Sequence, residues 1–355
     1  MIQRPSPFIS STLRLVGVVV MAEILALGVL GQYILPSPAE PSTAGAKVEN
    51  LEREARAVLE KFQRGEIQWR DLPRQLEDRG IRPAFLGVLM LQGLAMAVGA
   101  LSLIALAALR AFGVRLKPRG NWAPGTPWLP LDAVEAVLCF GCAQLVLGTM
   151  VALLLRGSHE LGIEGLRPEH LLLIYVVAAA VTLALLSRRT AGGLRRLWHA
   201  ARVRAAPVLL RMLQGGGGYM AALPLLLAAR YLNPIGDDPL SSNPVISMLM
   251  ARRSALDWIL LFVVIGLCAP VFEELLFRGC AYPAFRRRWG VGVAVVASGL
   301  LFGAVHGQLA ELVPLTVLGI VFAALYETTG SLVPSIIAHS LQNSITLLQL
   351  MWLSG

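Results

Sequence analysis

Long apolar segments recur along this chain, and several approach or exceed the ~20 residues that a helix needs to cross a bilayer. Hydrophobic residues make up 56% of the 355 residues, whereas charged residues make up only 15%. A soluble domain of this length would carry far more charge. The sequence therefore predicts an all-α protein, folded as a polytopic bundle of transmembrane helices.

Basic residues predict how the bundle is oriented. We predict nine spans, at 14–35, 84–110, 129–155, 170–187, 207–230, 256–278, 291–309, 311–328 and 333–353. Under nine crossings all four basic clusters fall on one side, which the positive-inside rule assigns to the cytoplasm. The clusters are Arg4, residues 110–119, residues 188–211 and Arg286 to Arg288. The amino terminus is then cytoplasmic and the carboxyl terminus extracytoplasmic.

These loops also account for the net charge of +9 without a nucleic-acid partner. The arginines of 188–211 suit an amphipathic helix on anionic lipid headgroups. The glycine run Gly215 to Gly218 lacks the lysine of a phosphate loop. We interpret that run as either a flexible hinge or a point of close helix packing.

The topology divides the chain into four parts. Residues 1–35 form a first transmembrane anchor, and 36–83 form a small extracytoplasmic helical segment in which charged and apolar residues alternate at helical spacing. Residues 84–254 supply additional transmembrane helices and the basic cytoplasmic loops. Residues 255–353 form a carboxyl-terminal core that holds the candidate site.

Three ionisable side chains interrupt the sixth apolar segment, in the sequence Glu273-Glu274-Leu-Leu-Phe-Arg278. Such groups cost several kcal/mol in lipid before they are paired. On a helix Glu274 and Arg278 share a face and can pair, whereas Glu273 points about 100° away. Glu273 is therefore available for chemistry. A buried, unpaired carboxylate holds a proton more readily than an exposed one, which suits a general base.

Two later segments bring one histidine each. His306 follows Phe302 by one turn, and His339 precedes Asn343 by one turn on the same face. An imidazole and an amide stacked in this way can bind a developing oxyanion. Alternatively, Glu273 with the two histidines matches a known set of zinc ligands with an open position. The sequence leaves open whether the cofactor is zinc or whether there is none.

Depth along the helices supports part of this grouping. Glu273 lies 13 residues before Arg286, or ~20 Å along the helix axis from the basic turn. His306 lies 16 residues after Gly290, or ~24 Å from the same turn. His339 lies only six residues after Val333, or ~9 Å into its span. We therefore expect a tilted or partly re-entrant ninth span if His339 is to reach the other groups.

Taken together, the three motifs resemble those of the Abi family of intramembrane proteases. That family contains the type II CAAX prenyl endopeptidases and bacteriocin-processing enzymes. The resemblance covers residues 255–350. The motifs are EExxxR at Glu273, Glu274 and Arg278, FxxxH at Phe302 and His306, and HxxxN at His339 and Asn343.

The resemblance implies an endopeptidase that cleaves a membrane-associated protein or peptide, and we expect it in a bacterial cell membrane. Glu273 would activate water, assisted by His306. His339 and Asn343 would stabilise the oxyanion, and the site would have the structural support of Glu274, Arg278 and Phe302. The resemblance leaves open whether a metal takes part and whether the substrate is prenylated. The alternative is a non-catalytic membrane scaffold or a proton-coupled transporter that uses the buried carboxylates.

Overall fold

The computed structural model describes residues 83–111, 128–155, 167–189, 207–233 and 254–354, together with isolated residues between 18 and 78. In this part of the chain every regular element is a helix. The prediction of an all-α bundle is therefore confirmed there. Apart from isolated residues, the predicted anchor 1–35 and the extracytoplasmic segment 36–83 lie outside the described residues. Most of the basic stretch 188–211 lies outside them too.

The helices follow the predicted apolar segments closely. Four of them precede the carboxyl-terminal core: α1 Pro83–Ala111, α2 Pro130–Leu155, α3 Pro168–Arg189 and α4 Val208–Tyr231. A continuous helical run then comprises α5 Ala255–Leu261, a first π-helical segment Phe262–Cys268, α6 Ala269–Leu276, a second π-helical segment Phe277–Ala281 and α7 Tyr282–Val305. The last two helices are α8 Leu309–Thr329 and α9 Leu332–Ser354.

Six helical stretches among the described residues are long and apolar enough to cross a membrane, as expected of an integral membrane protein. One of them, Ala255–Val305, has 51 residues, more than twice the ~20 needed. It is broken at Gly290, whose φ of 79° lies in the left-handed region that favours glycine. Polar side chains lower the hydropathy of α9, which is not among the six. The count of nine spans stays a prediction.

Glycines allow α7 and α8 to pack with their backbones in contact. A Cβ atom on Gly319 of α8 would lie 2.7 Å from the Gly299 Cα of α7. Small residues permit this kind of approach between membrane helices. In the glycine run of α4, a Cβ on Gly215 would lie 2.6 Å from the Ile337 Cβ of α9, and one on Gly218 would meet Leu325 of α8. The run is therefore a point of close packing, one of the two interpretations that we predicted.

A second contact fixes α7 against α8 at the opposite end of the pair from His306. The buried Glu327 carboxylate accepts hydrogen bonds from Tyr282 Oη at 2.7 Å, Arg286 Nε at 2.9 Å and Arg286 Nη2 at 3.0 Å. Bidentate arginine–carboxylate pairs impose geometry as well as attraction. The helix pair that carries half of the candidate site is thus held at both ends.

Close packing at Gly319 can be tested with the substitution Gly319→Ala. The added methyl group meets backbone that cannot move aside, so we expect the free energy of unfolding to fall by about 1–3 kcal/mol. The matched control is Gly148→Ala on α2, where a Cβ has no heavy atom within 4 Å. That variant should be as stable as the wild type or slightly more stable, since alanine favours helix by ~1 kcal/mol. Equal thermal unfolding of the two variants in detergent would contradict the packing argument.

Candidate active site

Two π-helical segments flank the short helix α6, which carries both glutamates. Pro270 lies in the first turn of α6 and has no N–H to donate, which favours an altered hydrogen-bond pattern there. Asn343 of α9 donates from Nδ2 to the Ile265 carbonyl in the first π-helical segment, at 2.9 Å. Widened turns of this kind are rare and often occur at functional sites. The local distortion therefore coincides with the predicted cluster.

A buried ion pair forms the base of the site. Arg278 Nη1 lies 2.8 Å from Glu274 Oε1, and both side chains are 0% exposed. Arg278 Nη2 donates to the Gly319 carbonyl of α8 at 2.7 Å. The guanidinium carbon also lies 4.9 Å from the centroid of the Phe302 ring and 5.3 Å from that of Phe322. The cation is thus surrounded by a carboxylate, a carbonyl and aromatic faces.

His339 connects this ion pair to Glu273. Its Nδ1 lies 3.1 Å from Glu274 Oε1, and its Nε2 lies 3.8 Å from Glu273 Oε2. An ionised carboxylate only accepts hydrogen bonds, so Nδ1 carries a hydrogen. The ring stacks on Phe322 with centroids 5.0 Å apart and meets the edge of Phe302 at 5.5 Å. These contacts set both the orientation and the tautomer of the imidazole.

The Glu273 side chain is only 14% exposed. Its Oε2 is buried and accepts no hydrogen bond from the described residues. Tyr175 of α3 interacts with this carboxylate, and its hydroxyl donates to the Ala269 carbonyl at 3.2 Å. Sequence reasoning missed Tyr175, because a tyrosine within an apolar span carries no motif that would distinguish it from a packing residue.

The charges of the cluster determine whether Glu273 and His339 face each other as two acceptors or as an acceptor and a donor. With both carboxylates and the guanidinium ionised, the cluster has one excess negative charge. A proton on His339 Nε2 neutralises that charge and leaves Glu273 ionised as an acceptor. When both groups are unprotonated, two acceptors confront each other across 3.8 Å. A water molecule can donate to both of them.

His306 and Asn343 reach the cluster indirectly. His306 is exposed at the end of α7, and its Nδ1 lies 2.7 Å from the Phe302 carbonyl. A carbonyl oxygen only accepts, so Nδ1–H donates and Nε2 keeps a lone pair in the neutral ring. The Phe302 ring contacts the rings of both histidines, at 4.8 Å for His306 and 5.5 Å for His339. The structure thus groups Glu273 and His339 with the ion pair, and His306 borders them across Phe302.

The proposed zinc ligands are not assembled. Across the described ranges no three His, Cys, Asp or Glu side chains are grouped so that they could hold a metal ion. The Phe302 ring packs against both histidine rings, and Nδ1 of His339 already contacts Glu274. These residues do not fit a zinc site, and the metalloprotease alternative gains no support from them.

Comparison with known proteins bears on the same segment. Residues 255–345 match the family model described as type II CAAX prenyl endopeptidase Rce1-like. The resemblance is confirmed. The matched residues include all three motifs and the helices α5 to α8, and they support a membrane protease. They make up about a quarter of the chain.

Two curated relatives overlap part of the chain. It is 32% identical over 89 residues to the Bacillus subtilis (strain 168) protein named "Putative membrane peptidase YdiL", covering 25% of this chain and 36% of that protein. It is also 32% identical over 114 residues to an uncharacterized 24.3 kDa protein of Escherichia coli, covering 31% of this chain and 52% of that protein. The chain thus spans about half or less of the length of either relative. No solved structure matches it significantly.

The importance of the ion pair can be tested with Arg278→Met. This change leaves the Glu274 carboxylate buried without its counter-charge, so we expect a loss of about 3–5 kcal/mol in the free energy of unfolding. The control Arg288→Met removes an exposed arginine and should change stability little. The double variant Glu274→Leu/Arg278→Met should recover much of the loss, because the charge that Arg278→Met alone leaves unpaired on Glu274 is then absent. Thermal unfolding in detergent measures all three, and a harmless Arg278→Met would contradict the assignment.

Proposed function

We propose that this protein is an intramembrane endopeptidase that hydrolyses a peptide bond of a membrane-associated protein or peptide through a water molecule activated by Glu273. One observation carries the proposal. The buried Glu273 Oε2 faces His339 Nε2 at 3.8 Å and has no hydrogen-bond partner among the described residues. A buried carboxylate oxygen without a partner can orient a water molecule and take a proton from it. The match of residues 255–345 to a family of endopeptidases supports this chemistry.

The reaction starts with proton transfer from water to Glu273 Oε2. The water oxygen forms a bond to the carbonyl carbon of the substrate, and the π-electron pair of that carbonyl moves onto its oxygen. The C–N bond then breaks, and the proton held by Glu273 passes to the departing nitrogen. The products are a carboxylic acid and an amine, and Glu273 returns to its ionised form. No step requires a metal ion.

Donors near Glu273 stabilise the oxyanion in this mechanism. Protonated His339 donates from Nε2 while its Nδ1–H remains on Glu274. Asn343 uses one N–H on the Ile265 carbonyl and has a second to offer. Preorganised donors of this kind are worth about 2.7–4 kcal/mol each when they act on a developing charge. His306 acts instead on the water: its Nε2, left as the acceptor when Nδ1 donates to Phe302, assists the proton transfer to Glu273.

The arrangement in the membrane belongs to the same proposal. Nine spans place the amino terminus in the cytoplasm and the carboxyl terminus outside, in a bacterial cell membrane. The basic loops then lie on anionic headgroups of the cytoplasmic leaflet. The break at Gly290, just after the exposed Arg287 and Arg288, supports a turn of the chain at that surface.

The role of Glu273 is tested by Glu273→Gln. The amide has the same shape but cannot accept a proton from water, so we expect cleavage to stop while the protein remains folded. The measurement compares membrane peptides from cells that carry the wild type or the variant, with thermal unfolding of the purified proteins alongside. Glu169→Gln, at a side chain that is 51% exposed on α3, is the control and should retain cleavage. Cleavage that persists in Glu273→Gln refutes the mechanism.

Metal removal provides an independent test. Because the site residues do not form a zinc set, we expect the purified protein to keep its cleavage rate after dialysis against a strong chelator. Elemental analysis should then find less than one zinc ion per chain. An activity that disappears with chelation and returns with added Zn²⁺ would show that the metal-free mechanism is wrong.

A further inference from the structure

Helix α9 carries a polar face that continues beyond the candidate site. At 100° per residue, six polar side chains fall within about 120° of one another around the helix axis. Polar groups inside a membrane are expensive and are kept where they have partners or a function. The six are Ser335, His339, Gln342, Asn343, Thr346 and Gln349.

Partners within the protein account for four of them. Ser335 Oγ donates to the Phe322 carbonyl at 2.9 Å, and Gln349 Nε2 donates to Gln92 Oε1 of α1 at 2.7 Å. Asn343 donates to Ile265, and His339 contacts Glu274. These side chains hold α9 against its neighbours, and His339 and Asn343 already have roles in the proposed mechanism.

Gln342 and Thr346 are different. Gln342 Nε2 lies 3.3 Å from Thr346 Oγ1, and that hydroxyl donates to the Gln342 main-chain carbonyl at 2.9 Å. The side-chain oxygen Oε1 of Gln342 is buried and has no partner among the described residues. Thr346 is exposed. Packing therefore leaves a buried acceptor unsatisfied, which ordinarily costs about 1–3 kcal/mol.

The pair is close to the site. Gln342 lies one turn after His339, or ~4.5 Å along the axis, and Thr346 lies ~10.5 Å along it. The longer distance equals about three residues of extended chain. Asn343 binds the first π-helical segment on one side of this face, and Gln349 binds α1 on the other. The open part of the face lies between these two contacts.

We propose that Gln342 and Thr346 bind the main chain of a polypeptide that is locally unwound beside Glu273. This inference deepens the proposed function and rests on it. A peptide bond inside a helix has its N–H and C=O groups bonded internally, and attack on it requires the helix to open. In lipid the freed groups need new partners. A glutamine amide offers a donor and an acceptor, as a neighbouring strand would. The substrate class is thus a membrane-embedded polypeptide with a helix-breaking sequence near the cleaved bond.

Binding can be measured without cleavage, in the full-length Glu273→Gln background. The probes are two fluorescent 22-residue apolar peptides in detergent, one with a central Gly-Pro pair and one with Ala-Ala in its place. We expect the Gly-Pro peptide to bind more tightly. Gln342→Leu should weaken its binding about five- to tenfold, the loss of one or two hydrogen bonds, without lowering thermal stability.

Gln349→Leu is the matched control, since it removes the same amide from the same face where a protein partner exists. It should lower stability and leave the preference for the Gly-Pro peptide unchanged. If neither peptide binds, if both bind equally, or if Gln342→Leu binds as the parent does, the inference is overturned. Cleavage of the Gly-Pro peptide by the chain with native Glu273 is scored separately. If binding depends on Gln342 but the peptide is not cleaved, the binding site is supported and the protease proposal is overturned. If the peptide is cleaved but binding does not depend on Gln342, the protease proposal is supported and the binding site is overturned.

Discussion

The fully buried pair of Glu274 and Arg278 is the interaction on which the rest of the site depends. Either ion alone would be costly in a bilayer, and besides its ion-pair partner each contacts a further group of the protein. The guanidinium ties the second π-helical segment to α8 through the Gly319 carbonyl, and the carboxylate ties α6 to α9 through His339. Three helices therefore converge on one charge pair. Their convergence requires the close approach of α7 and α8, since a side chain at Gly319 would push the accepting carbonyl away.

The same pair explains why two adjacent glutamates have different roles. Glu274 is neutralised by the arginine, so it can accept the Nδ1–H of His339 without being consumed by chemistry. Glu273 has no such counter-ion. Oε2 of both glutamates is buried without a hydrogen-bond partner among the described residues, but only that of Glu273 faces His339 Nε2. Neighbouring residues on a helix point about 100° apart, so Glu274 faces the arginine while Glu273 faces the proposed reaction site.

The helices and the ion pair could be predicted from the sequence because they depend on residues that are close together in it. Apolar runs predicted most helices of the described part to within a few residues. The exception is the gap predicted between 278 and 291, where the chain remains helical apart from the break at Gly290, so that α7 runs from Tyr282 to Val305 and not from 291 to 309. The i, i+4 spacing predicted the pairing of Glu274 with Arg278. Contacts between helices could not be predicted from the sequence. The carbonyls of Gly319 and Ile265, the ring of Phe322 and the hydroxyl of Tyr175 belong to residue types that occur throughout any span. Their importance comes from packing, which a single sequence does not encode locally.

Depth was the misleading guide. Counting from Val333 placed His339 only ~9 Å into its span, against ~20 Å for Glu273 from the basic turn, on the assumption of straight spans that start at one level. The two π-helical segments have wider turns than the α-helix whose rise the count assumed, and α9 starts only two residues after the α8 cap at Gly330. Ser335 of α9 then bonds the Phe322 carbonyl of α8, which fixes the first turn of α9 deep against its neighbour. Two residues can therefore meet although they lie at different numbers of residues from the membrane surface, because residue number does not give the depth along a distorted helix.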